Sequence, residues 1–324
     1  MTRFFLRGVS LALLLPGLAV PLAHAADAQT LFARMYQAGR SLDYEGTFVY
    51  QHGDRLDSLR IVHKAGVGGV RERLVSLNGA PREIIRTDSE VRCYLPDENA
   101  VLVEHRRVDE RRFPALLPDS LAQLNGNYTI RVGKEGRVAG RKTVSVLITP
   151  RDAYRYGYRL WADEASGLLL KSSLLNERGV VVEQYMFTQL SIGKAIAESE
   201  LKPQYTAKGI VRQRADDELP KPSTEQWTAV HLPAGFSLTA RIMRKLPARQ
   251  QPVEHLVYSD GLAVVSVFVE KVDDHAKPNG LSGMSHMGAV HVFGKVVEGH
   301  QITVLGETPA VTVEMIGESV ASRP

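Results

Sequence analysis

The sequence predicts a mainly β protein in two parts, a large and strongly curved antiparallel sheet followed by a small α+β unit. Short runs rich in β-branched and aromatic residues alternate with a period of two from residue 44 onward, and turn sequences separate them. A polar, proline-punctuated stretch at 202–226 then interrupts the pattern. Because 324 residues exceed the usual size of one domain, we predict an N-terminal domain at 26–201, a linker at 202–226 and a second domain at 227–324.

Residues 1–25 have the features of a cleavable secretory signal. Arg3 and Arg7 stand before an apolar run of about a dozen residues, and an Ala-His-Ala site ends at Ala25. That run is shorter than the ~20 residues that a membrane span needs. We therefore expect cleavage before Ala26 and a soluble mature chain in the periplasm of a Gram-negative cell. The residue directly after the predicted cleavage site is Ala26 and not Cys, so a lipid anchor is not indicated.

Charge and cysteine content narrow the class of protein. The 40 basic and 36 acidic side chains give a formal net charge of +4, and removal of Arg3 and Arg7 leaves 38 against 36, or +2. Such a balance gives no reason to expect a nucleic-acid partner. Cys93 is the one cysteine, so no disulfide can form within the chain and its stability must come from packing.

An amphipathic helix is predicted at 26–39, where Leu31, Met35 and Ala38 recur at helical spacing. An antiparallel meander follows, with turn sequences such as Asn-Gly at 78–79 between its runs. At 105–126 the alternation stops, and one or two short helices are expected to cross the sheet. The predicted strands are 46–51, 59–63, 70–77, 83–87, 91–95, 100–104, 128–132, 144–149, 156–162, 168–175 and 180–190.

The C-terminal part predicts a smaller unit of strands and one helix. A segment containing Gly, Met and His at 280–294 is assigned no element, and a terminal helix is expected at 312–319, although β-branched residues weaken that assignment. The predicted strands are 236–243, 253–259, 262–270 and, as the last strand, 301–306.

No motif in the sequence carries recognisable catalytic or metal-binding chemistry, so we predict that the protein is not an enzyme and needs no cofactor. His286, His291 and His300 lack the usual spacing of zinc ligands, and along one strand positions 286 and 291 would point to opposite faces. These histidines are therefore expected to be surface residues. Cys93 lies within an apolar strand, where a buried and inert thiol is expected.

The large sheet carries more big apolar side chains than one short helix would cover. A curved sheet with a partly filled concave face is a natural site for an acyl chain. The alternative is that Leu31, Met35, Phe113, Leu116 and Leu117 fill the face completely, and the sequence favours neither. The candidate lipid-binding residues are Phe48, Tyr50, Tyr94, Tyr158, Trp161, Leu168, Leu170, Leu174, Tyr185 and Phe187.

A basic run follows the strand predicted at 100–104. Its guanidinium groups would stand beside the helix expected to cross the sheet, where they could bind the phosphate of a lipid head group through paired hydrogen bonds. Two acids within the run favour the alternative, a solvated loop. The candidate head-group residues are Arg106, Arg107, Arg111 and Arg112.

Several strings of residues resemble the MucB/RseB family of periplasmic regulators. The resemblance extends along nearly the whole chain, and strings of this length are specific. They are SLDYEGTFVY at 41–50, ERLVSLNG at 72–79, RYGYRLW at 155–161, GLLLKS at 167–172 and EQYMF at 183–187.

This resemblance implies a fold and a mechanism. The N-terminal domain would be a half-open antiparallel β-barrel with helices in its mouth, like the lipoprotein carriers, joined to a small α+β C-terminal domain. Such a protein binds the periplasmic domain of a membrane anti-sigma factor and shields it from regulated proteolysis. It is released on sensing lipopolysaccharide or another lipid, and so acts as a negative regulator of the envelope-stress response, of the alginate and mucoidy type.

The resemblance also implies that the C-terminal domain supplies much of the grip on the anti-sigma factor. Methionine and phenylalanine beside glycine suit an adaptable binding surface, with ordinary core as the alternative for each residue. A periplasmic lipid or lipoprotein carrier is the main alternative function, and exposed sheet edges make a homo-oligomer plausible. The candidate interface residues are Leu262, Val264, Val267, Phe268, Met284, Met287 and Phe293.

Overall fold

The computed structural model of the protein describes residues 22–105, 124, 126–205, 211–214, 226–244, 251–272 and 281–323. Within these residues the strands form one sheet of twelve, one of six and one of two. Helix α1 runs over Leu22–Ser41 and so begins four residues before the predicted start at 26. Its buried side, with Phe32 and Met35 at most 1% exposed, faces the large sheet.

The twelve-stranded sheet is an open, curved meander. Its order is β12-β6-β5-β4-β3-β2-β1-β11-β10-β9-β8-β7, so β12 and β7 are its two edges and the sheet does not close into a barrel. Every neighbouring pair is antiparallel except β12 with β6. The strands are β1 Tyr44–His52, β2 Arg55–Lys64, β3 Arg71–Ser76, β4 Glu83–Arg86, β5 Glu90–Leu95, β6 Ala100–His105, β7 Tyr128–Val138, β8 Arg141–Pro150, β9 Gly157–Asp163, β10 Leu169–Leu175, β11 Val181–Ile192 and β12 Val211–Arg214.

The two faces of this sheet have different partners. The inner face packs against α1 and includes Phe48, Leu160 and Phe187, each 1% exposed. Because side chains alternate along a strand, their neighbours in sequence point outward. On that outer face residues 196–205, which we call the strap, cross β2, β3 and β4, and Ile196 packs with Val62.

A buried carboxylate fastens the strap to the sheet. Glu83 is fully buried and accepts hydrogen bonds from the backbone N–H groups of Gln204, at 2.9 Å, and Tyr205, at 3.1 Å. Its other partner is the buried guanidinium of Arg73, 2.5 Å away. The chain is thus held against the N-terminal domain up to residue 205, within the stretch that the sequence assigned to a linker.

Strand β12, Val211–Arg214, also lies inside the predicted linker, and the sequence did not indicate it. It pairs in parallel with β6, from Val211 opposite Val101 to Arg214 opposite Glu104. Four residues are too few to show alternation, and the hydrogen-bonding partner comes from a strand more than 100 residues earlier. A sequence pattern therefore carried no signal for this strand.

The C-terminal part consists of a six-stranded sheet, a two-stranded sheet and helix α2, Ala310–Glu318. In the six-stranded sheet the order is β14-β15-β16-β19-β18-β17, and α2 packs on β18 and β19. Its core includes Trp227, Val267 and Phe293. The strands are β13 Gln226–Ala229, β14 Ser237–Arg244, β15 Val253–Ser259, β16 Val264–Lys271, β17 Gly283–Met287, β18 Val290–Val297, β19 His300–Gly306 and β20 Val320–Arg323.

Two expectations for this part were wrong. The segment at 280–294, assigned no element, contains β17 and most of β18, which form an antiparallel hairpin. Strand β19 is not the last, because β20 follows α2 and pairs with β13. The glycines and histidines in the first segment and the four-residue length of β20 conceal the period of two on which the predictions relied. The predicted fold class, mainly β with a half-open sheet and a small α+β domain, is confirmed.

Candidate functional site

The inner face brings together eight of the ten candidate lipid-binding residues. Five of them, at most 6% exposed, belong to one continuous apolar cluster with α1. Tyr50, Tyr158 and Trp161 pack half-buried against it, and the ammonium group of Lys171 lies over the Trp161 ring, 4.6 Å from its centre. Rings meet edge to face within this group, as between Phe48 and Phe187 with centroids 5.7 Å apart. The five buried members are Phe48, Leu168, Leu170, Tyr185 and Phe187.

The other two candidates lie elsewhere. Tyr94 packs on the opposite face of the sheet with Val101 and Val103. Leu174 lies in a small cluster at the junction with the C-terminal domain. A lipid-binding role for any of the ten residues stays a prediction.

Of the five residues expected to plug the concave face, two are described. Leu31 and Met35 are buried in the same cluster as Phe187, so α1 fills part of the face. Phe113, Leu116 and Leu117 lie outside the described residues, as do the four candidate head-group arginines, Arg106, Arg107, Arg111 and Arg112.

A polar group sits within the apolar inner face. Tyr44 stacks on His63 with centroids 4.5 Å apart, and the His63 ring also approaches the buried carboxylate of Glu72, at 3.6 Å. The hydroxyl of Tyr44 is buried and has no hydrogen-bond partner. Burial, and then the charge of Glu72, raises the pKa of Tyr44 well above its usual value. The inner face therefore contains a hydroxyl, that of Tyr44, whose hydrogen-bonding capacity is not used within the described residues.

The two domains meet at a buried ion pair centred on Asp260. One carboxylate oxygen of Asp260 accepts hydrogen bonds from Arg155 Nη1, at 2.7 Å, and from the hydroxyl of Tyr128, at 2.8 Å. The other accepts from the backbone N–H groups of Leu262 and Ala263 at 2.9 and 2.8 Å. The side chains of Asp260 and Arg155 are both 0% exposed. We call this contact, made by Asp260, Arg155 and Tyr128, the latch.

Further contacts surround the latch. Arg155 Nη2 donates to the backbone carbonyl of Ala234, at 2.6 Å, and its guanidinium lies over the ring of Phe236, 5.3 Å from the centre. The hydroxyl of Thr312 in α2 donates to the carbonyl of Tyr154, at 2.6 Å. Most importantly, Leu262 is 4% exposed and belongs to the apolar cluster of the inner face.

A second contact lies at the tip of the β17–β18 hairpin. Ala289 packs with Tyr156 and Leu174 of the N-terminal domain. Beside it the carboxyl group of Glu307 hydrogen-bonds the carboxyl group of Glu183, and burial, followed by the charge of Glu183, raises the pKa of Glu307 to about 7. Sequence reasoning missed this pair and the latch, since no pattern relates side chains more than 100 residues apart.

The candidate interface residues occupy three environments. Val267 and Phe293 are buried in the C-terminal core, and Leu262 is buried against the N-terminal domain. Val264 and Phe268 are half-buried, the latter stacked on His255 with centroids 4.3 Å apart. Met284 and Met287 are exposed, by 39% and 73%, on the edge strand β17. Their roles in binding stay predictions.

The expectation for the C-terminal histidines needs one correction. His286 and His291 belong to two paired strands and not to one, and they stand directly opposite each other with ring centroids 6.0 Å apart. Within the described ranges, no three His, Cys, Asp or Glu side chains are arranged to hold a metal ion. The same ranges contain no helix with the length and apolar character required to span a bilayer.

A half-open sheet with an apolar inner face, joined through a buried latch to a small α+β domain, defines a two-domain binding protein. Family comparison makes this class more specific. The model of the MucB/RseB N-terminal domain matches residues 27–205, and that of the MucB/RseB C-terminal domain matches residues 221–321. The chain belongs to the MucB/RseB family, which confirms the resemblance seen in its sequence.

Individual relatives agree along the whole chain. Sigma factor AlgU regulatory protein MucB of Pseudomonas aeruginosa is 38% identical over 97% of this chain and 98% of its own length. Sigma-E factor regulatory protein RseB of Haemophilus influenzae is 29% identical over 97% of each chain. A crystal structure of MucB in complex with MucA(peri) covers 92% of this chain and 100% of that chain, with a TM-score of 0.71 and 34% identity. The protein is accordingly a regulatory binding protein and not an enzyme.

Proposed function

We propose that this protein binds the periplasmic domain of a membrane anti-sigma factor and thereby restrains an envelope-stress sigma factor. The observation that carries the proposal is the similarity of both domains, over 92% of the chain, to MucB in a complex with MucA(peri). The bound protein covers the anti-sigma factor against regulated proteolysis. Binding of lipopolysaccharide or another lipid to the inner face releases it.

The proposed location is the periplasm. Arg3, Arg7, the apolar run after them and the Ala-x-Ala site at 23–25 support removal of residues 1–25 during export. Mass spectrometry of the protein recovered from a periplasmic extract tests this proposal. A mature chain beginning at Ala26 is expected, and retention of residues 1–25 contradicts it.

The exposed methionines of β17 are the part of the candidate interface that a partner can reach without unfolding the domain. Met284 and Met287 are flexible, polarizable side chains suited to an apolar partner surface. Both lie on β17, an edge strand whose outer side has no neighbour among the described strands. An extended segment of the anti-sigma factor could add to that edge.

Substitution of these methionines tests the interface. The double variant Met284→Ala with Met287→Ala should bind the anti-sigma periplasmic fragment at least tenfold more weakly, about 1.4 kcal/mol, in calorimetric titration. The matched control is Val230→Ala with Leu238→Ala, since these residues are also exposed, by 47% and 41%, elsewhere in the C-terminal domain. Equal affinity of the two double variants would remove β17 from the interface.

The central experiment titrates residues 26–324 with the anti-sigma periplasmic fragment, with and without lipopolysaccharide. Tight binding that weakens when lipopolysaccharide is present is expected. A carrier of lipid or lipoprotein is the second candidate, which the apolar inner face of the half-open sheet favours. Absence of binding to the fragment, together with stoichiometric lipid in the purified protein, would replace the regulator with the carrier.

A further inference from the structure

We propose that the contact between the domains is a gate on the inner face, closed by the Asp260 latch and by Leu262 acting as a plug. An acyl chain of lipopolysaccharide enters the N-terminal domain only when the C-terminal domain moves away. This inference rests on the proposed lipid sensing and assigns to it a mechanical step with named residues.

The first support is the position of Leu262. Among the described buried residues of the inner-face cluster, Leu262 alone comes from the C-terminal domain. It lies in the same cluster as Met35 of α1 and Tyr128 of β7, so one apolar core is shared by the two domains. Because Leu262 is 4% exposed within this cluster, the space that its side chain fills is closed to an acyl chain while the domains are in contact. Withdrawal of Leu262 with its domain provides that space without unfolding the sheet.

The second support is the way in which the latch determines the position of the plug. The Asp260 carboxylate binds the N–H groups of Leu262 and Ala263, and so determines the backbone on which the Leu262 side chain stands. The same carboxylate binds Arg155 and Tyr128 across the domain boundary. Loss of the latch therefore frees the plug, and insertion of the plug favours the latch.

The third support is the electrostatic setting. Arg155 and Asp260 are both fully buried, and a buried charge whose partner is removed is strongly unfavourable. Arg155 also donates to Asp152 of its own domain, at 3.1 Å, which gives the guanidinium one remaining partner when the domains separate. The proposed gate therefore switches between the closed, paired state of this contact and an open state in which both groups are solvated.

The gate predicts a quantitative link between closure and lipid affinity. When a ligand binds only the open form, its apparent dissociation constant is the intrinsic constant divided by the open fraction. A covalent lock on the closed form should weaken lipid binding, and a weakened latch should strengthen it. The second effect runs opposite to the loss of affinity that general damage to the protein would cause.

A disulfide between the domains supplies the lock. A Cβ atom built on Gly235 lies 2.8 Å from Cγ of Asn127, so sulfur atoms at both positions can be joined. The variant Asn127→Cys with Gly235→Cys is made in a Cys93→Ser background, which leaves one possible disulfide. Gly235 has φ +83°, and the strain that a side chain adds there is common to the oxidised and reduced forms. Each form is titrated with purified lipopolysaccharide, with reduction as the internal control.

The expected result is an oxidised form that binds lipopolysaccharide at least tenfold more weakly than the reduced form. Equal binding by the two forms would overturn the gate and leave the proposed lipid sensing in place. Absence of binding by the wild-type chain would instead refute the lipid sensing, and the gate with it.

A second variant opens the latch. Asp260→Asn removes the charge that pairs with Arg155 and should raise the affinity for lipopolysaccharide by about tenfold, since the open fraction rises. The matched control is Asp163→Asn, which removes a carboxylate that is 3% exposed and pairs with Arg141 inside the N-terminal domain. The control should leave the affinity unchanged. Unchanged or weaker binding by Asp260→Asn would contradict the gate.

Discussion

Individual residues of this protein show how burial determines the cost of a charge. His255 on β15 is 6% exposed, stacks on Phe268, and has no hydrogen-bond partner for either ring nitrogen. Burial, and then the charge of Arg244, lowers the pKa of His255 from 6.5 to about 4. The imidazole is therefore neutral in the folded protein at pH 7, where it behaves as an aromatic core residue.

His255 should make the folded protein less stable in acid. The unfolded chain binds a proton below pH 6.5 and the folded chain only below about 4, so stability falls as the pH decreases through that window. The loss should approach about 1.4 kcal/mol per pH unit. His255→Phe, which keeps the ring and removes the titrating group, should flatten this part of the curve. Urea unfolding of both proteins between pH 4 and 7 measures the difference, and parallel curves would exclude His255 as the cause.

At the same scale, the large apolar residues could be identified from the sequence, but the partners of individual side chains could not. The ten candidate lipid-binding residues were chosen for their large apolar side chains, and most of them lie on the inner face. Tyr94 and Leu174 were included on alternation alone, and alternation does not say which of two faces a strand turns inward. The charged pairs across the domain boundary join residues as distant as Arg155 and Asp260, which no local pattern relates.

Among the elements, the strap has a structural role that its polar sequence conceals. Its 3-10 turn, Glu198–Leu201, contributes both an apolar contact, through Leu201, and an exposed ion pair, through Glu198 with Arg71 and Lys64. The buried clamp at Glu83 lies at its end. Buried and exposed ion pairs differ greatly in their contribution to stability. The strap therefore allows a comparison between the buried pair of Glu83 with Arg73 and the exposed pair of Glu198 with Arg71.

Glu83→Gln should lower the free energy of unfolding by about 3 kcal/mol, because it leaves the buried guanidinium of Arg73 without its carboxylate. It should also speed hydrogen exchange at the amides of Gln204 and Tyr205, because in the wild type these N–H groups donate hydrogen bonds to the Glu83 carboxylate. Glu198→Gln is the matched control, since Glu198 is exposed, and it should change stability little. Unaltered exchange at those two amides in Glu83→Gln would show that the clamp does not hold the strap.

The eleven strands predicted between residues 46 and 190 are all present, since each is long enough to alternate and is bounded by turn residues. Helix α1 was predicted for the analogous reason, the apolar spacing of a helix face, and α2 was expected in spite of its β-branched residues. The strands missed outright were β12, β13, β17, β18 and β20. Most of these are short, and the longest, β18, is interrupted by Gly294, so their pairing depends on partners supplied by the tertiary fold.

For the whole molecule, the contact at Glu183 and Glu307 makes domain association sensitive to pH. The pKa of Glu307 is raised to about 7 by burial and by Glu183, so in the closed form Glu307 keeps a proton that it releases above about pH 4.5 when the domains separate. The contribution of Glu307 to the stability of the closed form is fully present below about pH 4.5 and is lost as the pH rises through 7. Tyr50, which hydrogen-bonds Glu183, and Tyr156 lie beside this pair.

Glu307→Gln should remove this dependence, because an amide stays neutral and can still hydrogen-bond Glu183. In the wild type, the midpoint of thermal unfolding should fall between pH 5 and 8 by an amount reflecting on the order of 1–3 kcal/mol. In the variant it should fall less. Glu314→Gln, in α2, is a control on the same domain away from the pair. Identical pH profiles for wild type and Glu307→Gln would contradict this assignment.

The number of residues that connect the last strand of the N-terminal domain to the first strand of the C-terminal domain sets how far the proposed gate can open. Strand β12 ends at Arg214 and β13 begins at Gln226, so eleven residues, 215–225, join the two. Fully extended, that segment spans at most about 40 Å. A C-terminal domain that leaves the latch thus stays at an effective concentration in the millimolar range near its docking surface. Reclosure of the proposed gate is therefore unimolecular, and a ligand or partner keeps the domains apart only by occupying one of the surfaces that they vacate.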